Sequence, residues 1–258
     1  MLCETKFNAM KTKLFLIALI GLVIPLSCQK SDSQKNERLS RILLYSSVTS
    51  TEPVSILEEY DYDSNNRVSK VSTPSYENGK ITGTIKYDSY EYNSKGQLVK
   101  IANYNANINS STGFINLKNY VYTYASDGLK TKELIEYPQI NSFEYSLFKY
   151  SGSQLIKAEN YDSNDKLVTY IKYEYNNSGA LIKETTYTAV DIVISVTINN
   201  YINGLNTSKE VYSGNQGNKI TDIINTYDSK GNLMMTEYNE TLFSSQMSRV
   251  VKYEYSEY

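Results

Sequence analysis

The chain contains no histidine and no tryptophan, and it has only two cysteines among its 258 residues. Without histidine it cannot form a Ser-His-Asp triad, a Cys-His pair, or a zinc or iron site with imidazole ligands. We therefore predict no cofactor, no metal site and no enzyme activity. A hydrolase that works with a pair of carboxylates is kept as a third alternative for the function.

An excess of charge of one sign is also missing. Lysine and arginine total 26, aspartate and glutamate total 28, and the formal net charge is -2. The two signs are interspersed along the chain, whereas a nucleic-acid-binding domain normally collects basic residues on one face. We therefore predict that nucleic acid is not a partner.

The N-terminal residues resemble a bacterial lipoprotein signal. Lys11 and Lys13 precede an apolar run at residues 14–26. That run is too short to cross a bilayer as a helix and has the length of a signal-peptide core. Ser27 and Cys28 follow, and the resemblance implies that Cys28 is lipidated and becomes the mature N-terminus. The alternative is an ordinary secretory signal with an incidental cysteine.

This N-terminus predicts three segments and a location. We expect a signal peptide at residues 1–27, with Met10 as its true start, then a flexible polar tether at residues 28–39 and a β-repeat domain at residues 40–258. The protein would be exported and attached to the outer membrane through its lipid alone. Whether it lies on the periplasmic side or on the cell surface is left open.

Tyrosine is abundant, with 26 copies, and much of it belongs to a repeated phrase. One copy is YNSKGQLVK at residues 92–100. The copies begin at Tyr62, Tyr92, Tyr124, Tyr150, Tyr175, Tyr201, Tyr227 and Tyr253. The last five spacings are 25 or 26 residues. A fixed period of this size indicates a repeat architecture.

Each copy has the chemistry of a β-hairpin. A Tyr-x-Tyr pair places two rings on one face of a strand, because side chains alternate with a period of two. The polar stretch after it favours a turn, because an Asx side chain bonds to nearby backbone and Gly or Asn tolerates positive φ. Second, more variable turns lie between the copies, for example at Asn78-Gly79 and Pro138. The pattern predicts about sixteen antiparallel strands in one up-and-down meander.

The motif Y-x-Y-D/N-S-x-G-x-L resembles the YD repeats of RHS-type proteins over residues 40–258. The chain is also similar to a Bacteroidetes-type lipoprotein family of unknown function with a porin-like β-barrel. The resemblance implies an all-β fold and no particular activity. We expect a wide or flattened soluble β-barrel, because closure removes strand edges that would otherwise pair with other chains. An open twisted sheet is the alternative.

Charged residues on both predicted faces disfavour a barrel that faces lipid. Glu133 lies on one predicted face of its strand and Lys132 on the other, and the pairs at 183–184 and 209–210 divide in the same way. A lysine on the lipid face costs about 2–4 kcal/mol at the bilayer midplane. We therefore predict a non-catalytic binding or structural role, and an outer-membrane porin-like barrel is the alternative.

Three features could still bind a ligand or carry chemistry. Glu58 and Glu59 are adjacent, so they should point to opposite faces of a strand and cannot flank one bond. Asp61, Asp63 and Asn65 resemble the start of a calcium loop, although the sixth and twelfth loop positions do not fit and hairpin turns explain these residues better. Tyrosines in the variable turns or the lumen are candidates for binding a glycan or a protein.

Overall fold

The computed structural model describes residues 36–107, 110–214, 217–242 and 245–258. The predicted signal peptide, Cys28 and the predicted tether up to residue 35 lie outside this part of the chain. One structural unit extends from Asn36 to Tyr258. Within the described residues, no helix is long and apolar enough to cross a membrane.

Sixteen strands follow one another along the described residues. They are β1 Glu37–Tyr45, β2 Ser55–Tyr62, β3 Val68–Glu77, β4 Lys80–Tyr92, β5 Leu98–Ala106, β6 Phe114–Tyr124, β7 Lys130–Tyr137, β8 Ser142–Ser151, β9 Gln154–Tyr161, β10 Leu167–Tyr175, β11 Leu181–Thr188, β12 Val193–Ile202, β13 Leu205–Ser213, β14 Asn218–Tyr227, β15 Leu233–Leu242 and β16 Ser245–Glu257. Each repeated phrase therefore ends one strand, turns, and begins the next.

The strands form one closed barrel. Every strand is antiparallel to its neighbours in the chain, and β16 also pairs with β1. The predicted all-β meander of about sixteen strands is confirmed, and so is its closure into a barrel. The alternative of an open twisted sheet is wrong, because the two end strands share a ladder from Glu37 opposite Glu257 to Tyr45 opposite Val250.

The first strand begins earlier than the sequence suggested. Residue 40 was the predicted start of the β-domain, whereas β1 begins at Glu37. The residues before 40 extend the strand because they have partners in the last strand: Glu37 lies opposite Glu257, and Leu39 lies opposite Tyr255. Sequence alone showed no reason for these residues to pair.

Apolar packing is concentrated where the barrel closes. On one face of this seam, Leu43, Ile56 and Val250 are buried in one cluster with Tyr45. On the other face, Leu39, Val251 and Tyr253 are buried in a second cluster. Burial of such side chains contributes roughly 1.5–3 kcal/mol each. The seam is therefore stabilised from both sides of the sheet as well as by its backbone ladder.

Charge interactions between side chains on distant strands identify the inner face of the barrel. Burial raises the pKa values of Tyr173 and Tyr238, and the charges of Glu133 and Glu58 add to this. Glu133 lies in β7 and Tyr173 in β10, three strands away, and Glu58 and Tyr238 are equally far apart around the sheet. Neighbouring strands are about 4.8 Å apart. Side chains this far apart approach each other only on the concave side, so these residues face the lumen.

The two ends of the barrel differ in their connections. Five-residue turns with one hydrogen-bond pattern connect β2 to β3, β4 to β5, β6 to β7, β10 to β11 and β14 to β15, and these turns share one end. Short two-residue turns connect β8 to β9 and β12 to β13 there. We call this the tight-turn end. The opposite end, which we call the loop rim, has the β1–β2 loop, one five-residue turn of the same kind between β9 and β10, and the other variable connections.

An Asp or Asn at the first position builds four of these five turns, and the β6–β7 turn begins with Ala125 instead. Asp63 Oδ1 accepts hydrogen bonds from the backbone amides of Asn65 and Arg67, both at 2.9 Å. Asn93 accepts from the amides two and four residues later in the same way. Asn66 occupies the left-handed region at φ 58°, where the other copies mostly have glycine. The predicted Asx-turn chemistry is confirmed.

Eight tyrosines, one in each even-numbered strand, form a ring of hydrogen bonds around the tight-turn end. Each hydroxyl donates to a backbone carbonyl in the preceding strand, at 2.6–3.0 Å. The donors are Tyr62, Tyr92, Tyr124, Tyr150, Tyr175, Tyr201, Tyr227 and Tyr255. We call these eight residues the tyrosine lock. It explains why the tyrosine is repeated at every hairpin.

The last member of the lock is not the tyrosine that the spacing indicated. The period of 26 residues places the last copy at Tyr253, but Tyr255 donates to the Leu233 carbonyl at 2.9 Å. Tyr253 lies opposite Ile42, deeper in the barrel, and is buried in the seam cluster. The final repeat is two residues longer than the sequence spacing suggested.

Removing one lock hydroxyl should destabilise the barrel measurably. Tyr124→Phe deletes the 2.7 Å bond to the Leu98 carbonyl and leaves the ring in place. We expect the free energy of unfolding to fall by about 1 kcal/mol, measured by urea denaturation. Tyr104→Phe is the matched control, because Tyr104 stacks on Tyr87 through its ring. An equal loss in both variants would contradict the role of the lock.

Candidate functional site

Below the tyrosine lock, the inner face carries a second ring that is mostly aromatic. Its members lie two residues before each lock tyrosine and are Tyr60, Tyr90, Tyr122, Phe148, Tyr173, Asn199, Asn225 and Tyr253. Carboxylates share the same face, among them Glu58 and Asp88, with Glu133 paired opposite Tyr122. Aromatic faces beside carboxylates can hold polar or cationic groups. The lumen is therefore one candidate ligand surface.

The lumen carboxylates already have partners within the chain. Asp88 accepts a hydrogen bond from Asn103 Nδ2 at 2.5 Å, and burial raises the pKa of its carboxyl. Glu133 is buried and forms an ion pair with Lys130 at 3.3 Å. Within the described residues, no three histidine, cysteine, aspartate or glutamate side chains come together as ligands for a metal ion. These carboxylates form a structural network as they stand.

Burial raises the pKa values of thirteen inner tyrosines, and burial is the largest cause for each. For Tyr253 and Tyr255 the pKa rises to about 12. Tyr60 has a carboxylate neighbour as well, because its hydroxyl donates to Glu58, and the charge of Glu58 raises its pKa further. These hydroxyls are therefore neutral donors at physiological pH.

The adjacent glutamates point away from each other. Glu58 lies on the inner face, and Glu59 lies on the outer face, where it accepts a hydrogen bond from Arg41 Nε at 2.9 Å. The prediction that this pair cannot flank one bond is confirmed. Neighbours on one strand alternate between faces, so their order in the sequence was enough to show it.

The stretch that resembled a calcium loop is a hairpin turn. Asp63 uses one oxygen for the amides of the turn and the other for Arg67, whose Nη2 lies at 2.6 Å. The hydrogen bond from the Arg67 side chain is the largest cause that lowers the pKa of Asp63. Asp162 in the β9–β10 turn also accepts from two backbone amides, at 2.9 and 3.0 Å. The hairpin interpretation is therefore confirmed for the Asp61 stretch, and the Asp162 turn is built in the same way.

An open cleft of about 650 Å³ lies on the outer face of the seam. Its apolar residues come from the outer seam cluster and from β3 and β4, and its polar residues come from the β1–β2 loop and the strand edges. They are Leu43, Tyr45, Ile56, Tyr76, Ile81, Arg41, Glu254, Thr51, Glu52, Pro53, Gly79 and Lys80. This volume is within the range of small-molecule sites, roughly 300–1,000 Å³.

The β1–β2 loop forms one wall of the seam cleft. Lys252 holds the loop against the sheet, because its Nζ donates to the Ser50 carbonyl at 3.0 Å and lies 4.1 Å from the centre of the Tyr45 ring. Burial raises the pKa of Tyr45, and the charges of Glu254 and Glu52 raise it further. The cleft therefore combines an apolar floor with both donors and acceptors.

Sequence reasoning did not identify the seam cleft, although one signal was present. Tyr45 and Tyr76 lie outside the repeated positions, at or near the ends of strands that precede a variable connection. The predicted candidates for ligand contact were instead tyrosines within the variable turns or in the lumen. The apolar residues beneath Tyr45 and Tyr76 gave no such signal, because Leu43 and Val250 meet only when the first and last strands pair.

The outer face carries ion pairs around most of the circumference. They join neighbouring strands at 2.8–3.4 Å and include Arg41–Glu59, Glu91–Lys100, Lys149–Glu159, Glu174–Lys183 and Lys219–Glu210. The predicted pair at residues 183–184 divides between the faces as expected: Lys183 faces outward opposite Ile198, and Glu184 faces inward opposite Tyr173. Lys130 differs from the alternation, because a bulge brings it to the inner face opposite Tyr124.

Comparison with known proteins gives likenesses of fold. No protein-family model and no curated protein matches the chain. A porin-like protein from Bacteroides uniformis aligns over 84% of this chain and 96% of its own, at 11% identity and a TM-score of 0.40. A porin-like protein from Bacteroides vulgatus aligns over 84% and 98%, at 12% identity and a TM-score of 0.41.

A toxin structure is also similar over part of its length. The Photorhabdus luminescens Tc holotoxin pore aligns over 74% of this chain at 16% identity, with a TM-score of 0.32. This chain spans 9% of that toxin chain. These similarities concern the β architecture alone.

Proposed function

We propose that the protein is an exported, lipid-anchored component of an outer membrane with a non-catalytic binding or structural role. The signal-like residues before Cys28 support export and lipidation. The seam cleft and the aromatic lumen are the surfaces on which it would bind a glycan or a protein. The absence of histidine supports a role without catalysis.

The charged outer face is the observation that carries this proposal. A barrel that spans a membrane presents an uncharged band to the lipid, and a lysine or arginine at the bilayer midplane costs about 2–4 kcal/mol. Here Lys183 and Arg41 point outward from β11 and β1, which are six strands apart in the barrel, and each lies beside a glutamate. Several such residues would oppose spanning, while in water the same pairs are tolerated at little cost.

An outer-membrane porin-like barrel is the second candidate. It is favoured by the closed ring of sixteen strands and by charged residues on the inner face, such as Lys130 and Glu133. A polar interior is what a water-filled channel requires. The two candidates differ in one property, namely which solvent the outer face meets.

Purification without detergent separates the two candidates. Residues 29–258, expressed without the signal and Cys28, should elute from gel filtration as a sharp monomer with the circular dichroism of a β protein. The same sample should produce no conductance in planar bilayers. Aggregation that only detergent prevents, together with channel conductance, would contradict the proposal and favour the porin-like candidate.

A further inference from the structure

Exposed apolar side chains are concentrated at the loop rim. Of the sixteen large apolar residues that are exposed in the described part of the chain, ten lie in rim connections or in the strand ends next to them. The ten are Val48, Val54, Ile81, Ile140, Phe143, Val168, Val190, Ile192, Ile194 and Met247. Ile140 and Val190 are 72% and 73% exposed, so neither contributes to the barrel's own packing.

The tight-turn end has a different surface. Its turns consist mainly of aspartate, asparagine, serine, lysine and glycine, as in residues 93–96 and 228–231. Ile202 is its most exposed apolar side chain, at 63%, and it precedes the Asn203-Gly204 turn. A soluble barrel with no surface to contact would need no such difference between its ends.

Stacked tyrosines lie on the outer face just behind the apolar tips. The pairs are Tyr87–Tyr104, Tyr145–Tyr161 and Tyr170–Tyr187, with ring centres 4.7–5.0 Å apart. Lysines cover them: Lys132 lies 4.5 Å from the centre of the Tyr145 ring and Lys157 lies 4.3 Å from that of Tyr170. Tyrosine is enriched where a protein meets the headgroup region of a bilayer, and lysine stems can cover apolar surface while the charge stays in water.

The distribution of the tips fits a planar surface better than a protein partner. The tips come from separate parts of the rim, among them the β1–β2, β7–β8 and β11–β12 connections that carry Val54, Ile140 and Val190. Charged residues separate them, whereas a protein interface normally has one continuous apolar core. A lipid surface can receive each tip separately.

We propose that the loop rim inserts shallowly into the headgroup region of a lipid bilayer. The tips enter the boundary with the acyl chains, and the tyrosine and lysine belt lies at headgroup level. Farther from the rim, outward ion pairs such as Glu174–Lys183 limit the depth of insertion. This contact does not depend on a lipid at Cys28 and adds to the role proposed above.

The charges of the rim predict how this binding responds to salt. In the described rim connections Glu52, Asp162, Asp165 and Asp191 outnumber the one cation, Lys166. Burial of apolar surface, rather than attraction of the tips to anionic lipid, should therefore supply most of the binding. Because salt screens charge interactions and not apolar burial, affinity should be nearly the same in 0.1 M and 1 M salt.

Vesicle sedimentation with residues 29–258 tests the proposal. Phosphatidylcholine vesicles loaded with sucrose should pellet the domain, and the double variant Ile140→Asp with Val190→Asp should lower the partition coefficient about tenfold or more. Ile202→Asp is the matched control at the tight-turn end and should leave binding within about twofold, because the proposal gives that end no lipid contact. All three side chains are exposed, so thermal melting should stay unchanged in both variants.

Three outcomes would overturn the proposal. One is a soluble, folded domain that does not pellet with vesicles, and this result would leave the proposed soluble barrel intact. Another is equal loss of binding in the rim variant and in Ile202→Asp. The third is a dimer in gel filtration that the rim variant abolishes without any vesicle binding, which would assign the rim to a second copy of the chain. Aggregation in buffer would instead contradict the proposed function itself.

Discussion

Raising the pH above 10 should unfold the barrel cooperatively. Folding raises the pKa values of thirteen inner tyrosines above the ordinary value of 10.0, and those of Tyr253 and Tyr255 to about 12. The folded protein therefore binds more protons than the unfolded chain between pH 10 and these higher values. The resulting stability is fully present below pH 10 and is lost as the pH rises through the folded pKa values.

The expected loss is comparable to the stability of an ordinary domain. Tyr253 is buried, and a pKa of about 12 corresponds to about 3 kcal/mol for its neutral form alone. Other inner tyrosines, including Tyr90 and Tyr122, have pKa values that burial raises in the same direction. Because domains are stable by only about 5–15 kcal/mol, ionisation of a few of these residues should be enough.

Two spectroscopic signals check this prediction together. Tyrosine ionisation, followed by ultraviolet absorbance, should begin near pH 10 for some residues and should finish in one cooperative step that coincides with loss of the β circular dichroism. Outer ion pairs involving Lys183 also weaken at high pH, and 1 M salt controls for them because it screens surface charge. Ionisation of all tyrosines near pH 10 with the dichroism unchanged would show that the inner rings are open to solvent.

Deleting β16 should abolish the folded monomer. The chain that ends at residue 242 loses the ladder to β1 and the ladder to β15, and also the buried side chains of Val250, Val251 and Tyr253. Two unpaired edges then flank the gap, and such edges pair with other chains. We expect this variant to aggregate, measured by gel filtration and light scattering.

A synthetic peptide of residues 243–258 provides the control. Added during refolding, it should restore a soluble barrel, because it supplies the strand and both seam clusters. The variant Val251→Asp of the same peptide should fail, because it places a charge in the inner cluster, where Val251 is 5% exposed. A stable soluble monomer of the truncated chain without peptide would mean that closure is not essential.

The local structure of this protein could be predicted from its sequence. Asp63 and Asn93 open turns because their side chains reach the amides two and four residues later, and no distant residue takes part. Tyr60 and Tyr62 lie on one face because side chains along a strand alternate with a period of two. The count of strands then follows from the number of repeats.

The positions of the β-bulges could not be predicted from the sequence. A bulge near Lys130 moves its side chain to the lumen, where it lies 4.9 Å from the centre of the Tyr122 ring and forms an ion pair with Glu133. Strict alternation had placed Lys130 and Glu133 on opposite faces. A bulge depends on the register of two strands, and register is a property of the pair rather than of either sequence segment.

The sequence by itself determined the hairpins, their period and the tyrosine before each turn at the tight-turn end. Each of these features depends on contacts within a few residues or on strand alternation. Closure, the seam cleft and the apolar rim were decided by the tertiary structure. Leu43 and Val250 are separated by most of the chain and meet only when β16 pairs with β1. The rim gathers residues such as Val54, Ile140 and Val190 from separate hairpins, and only the closed ring brings them to one end.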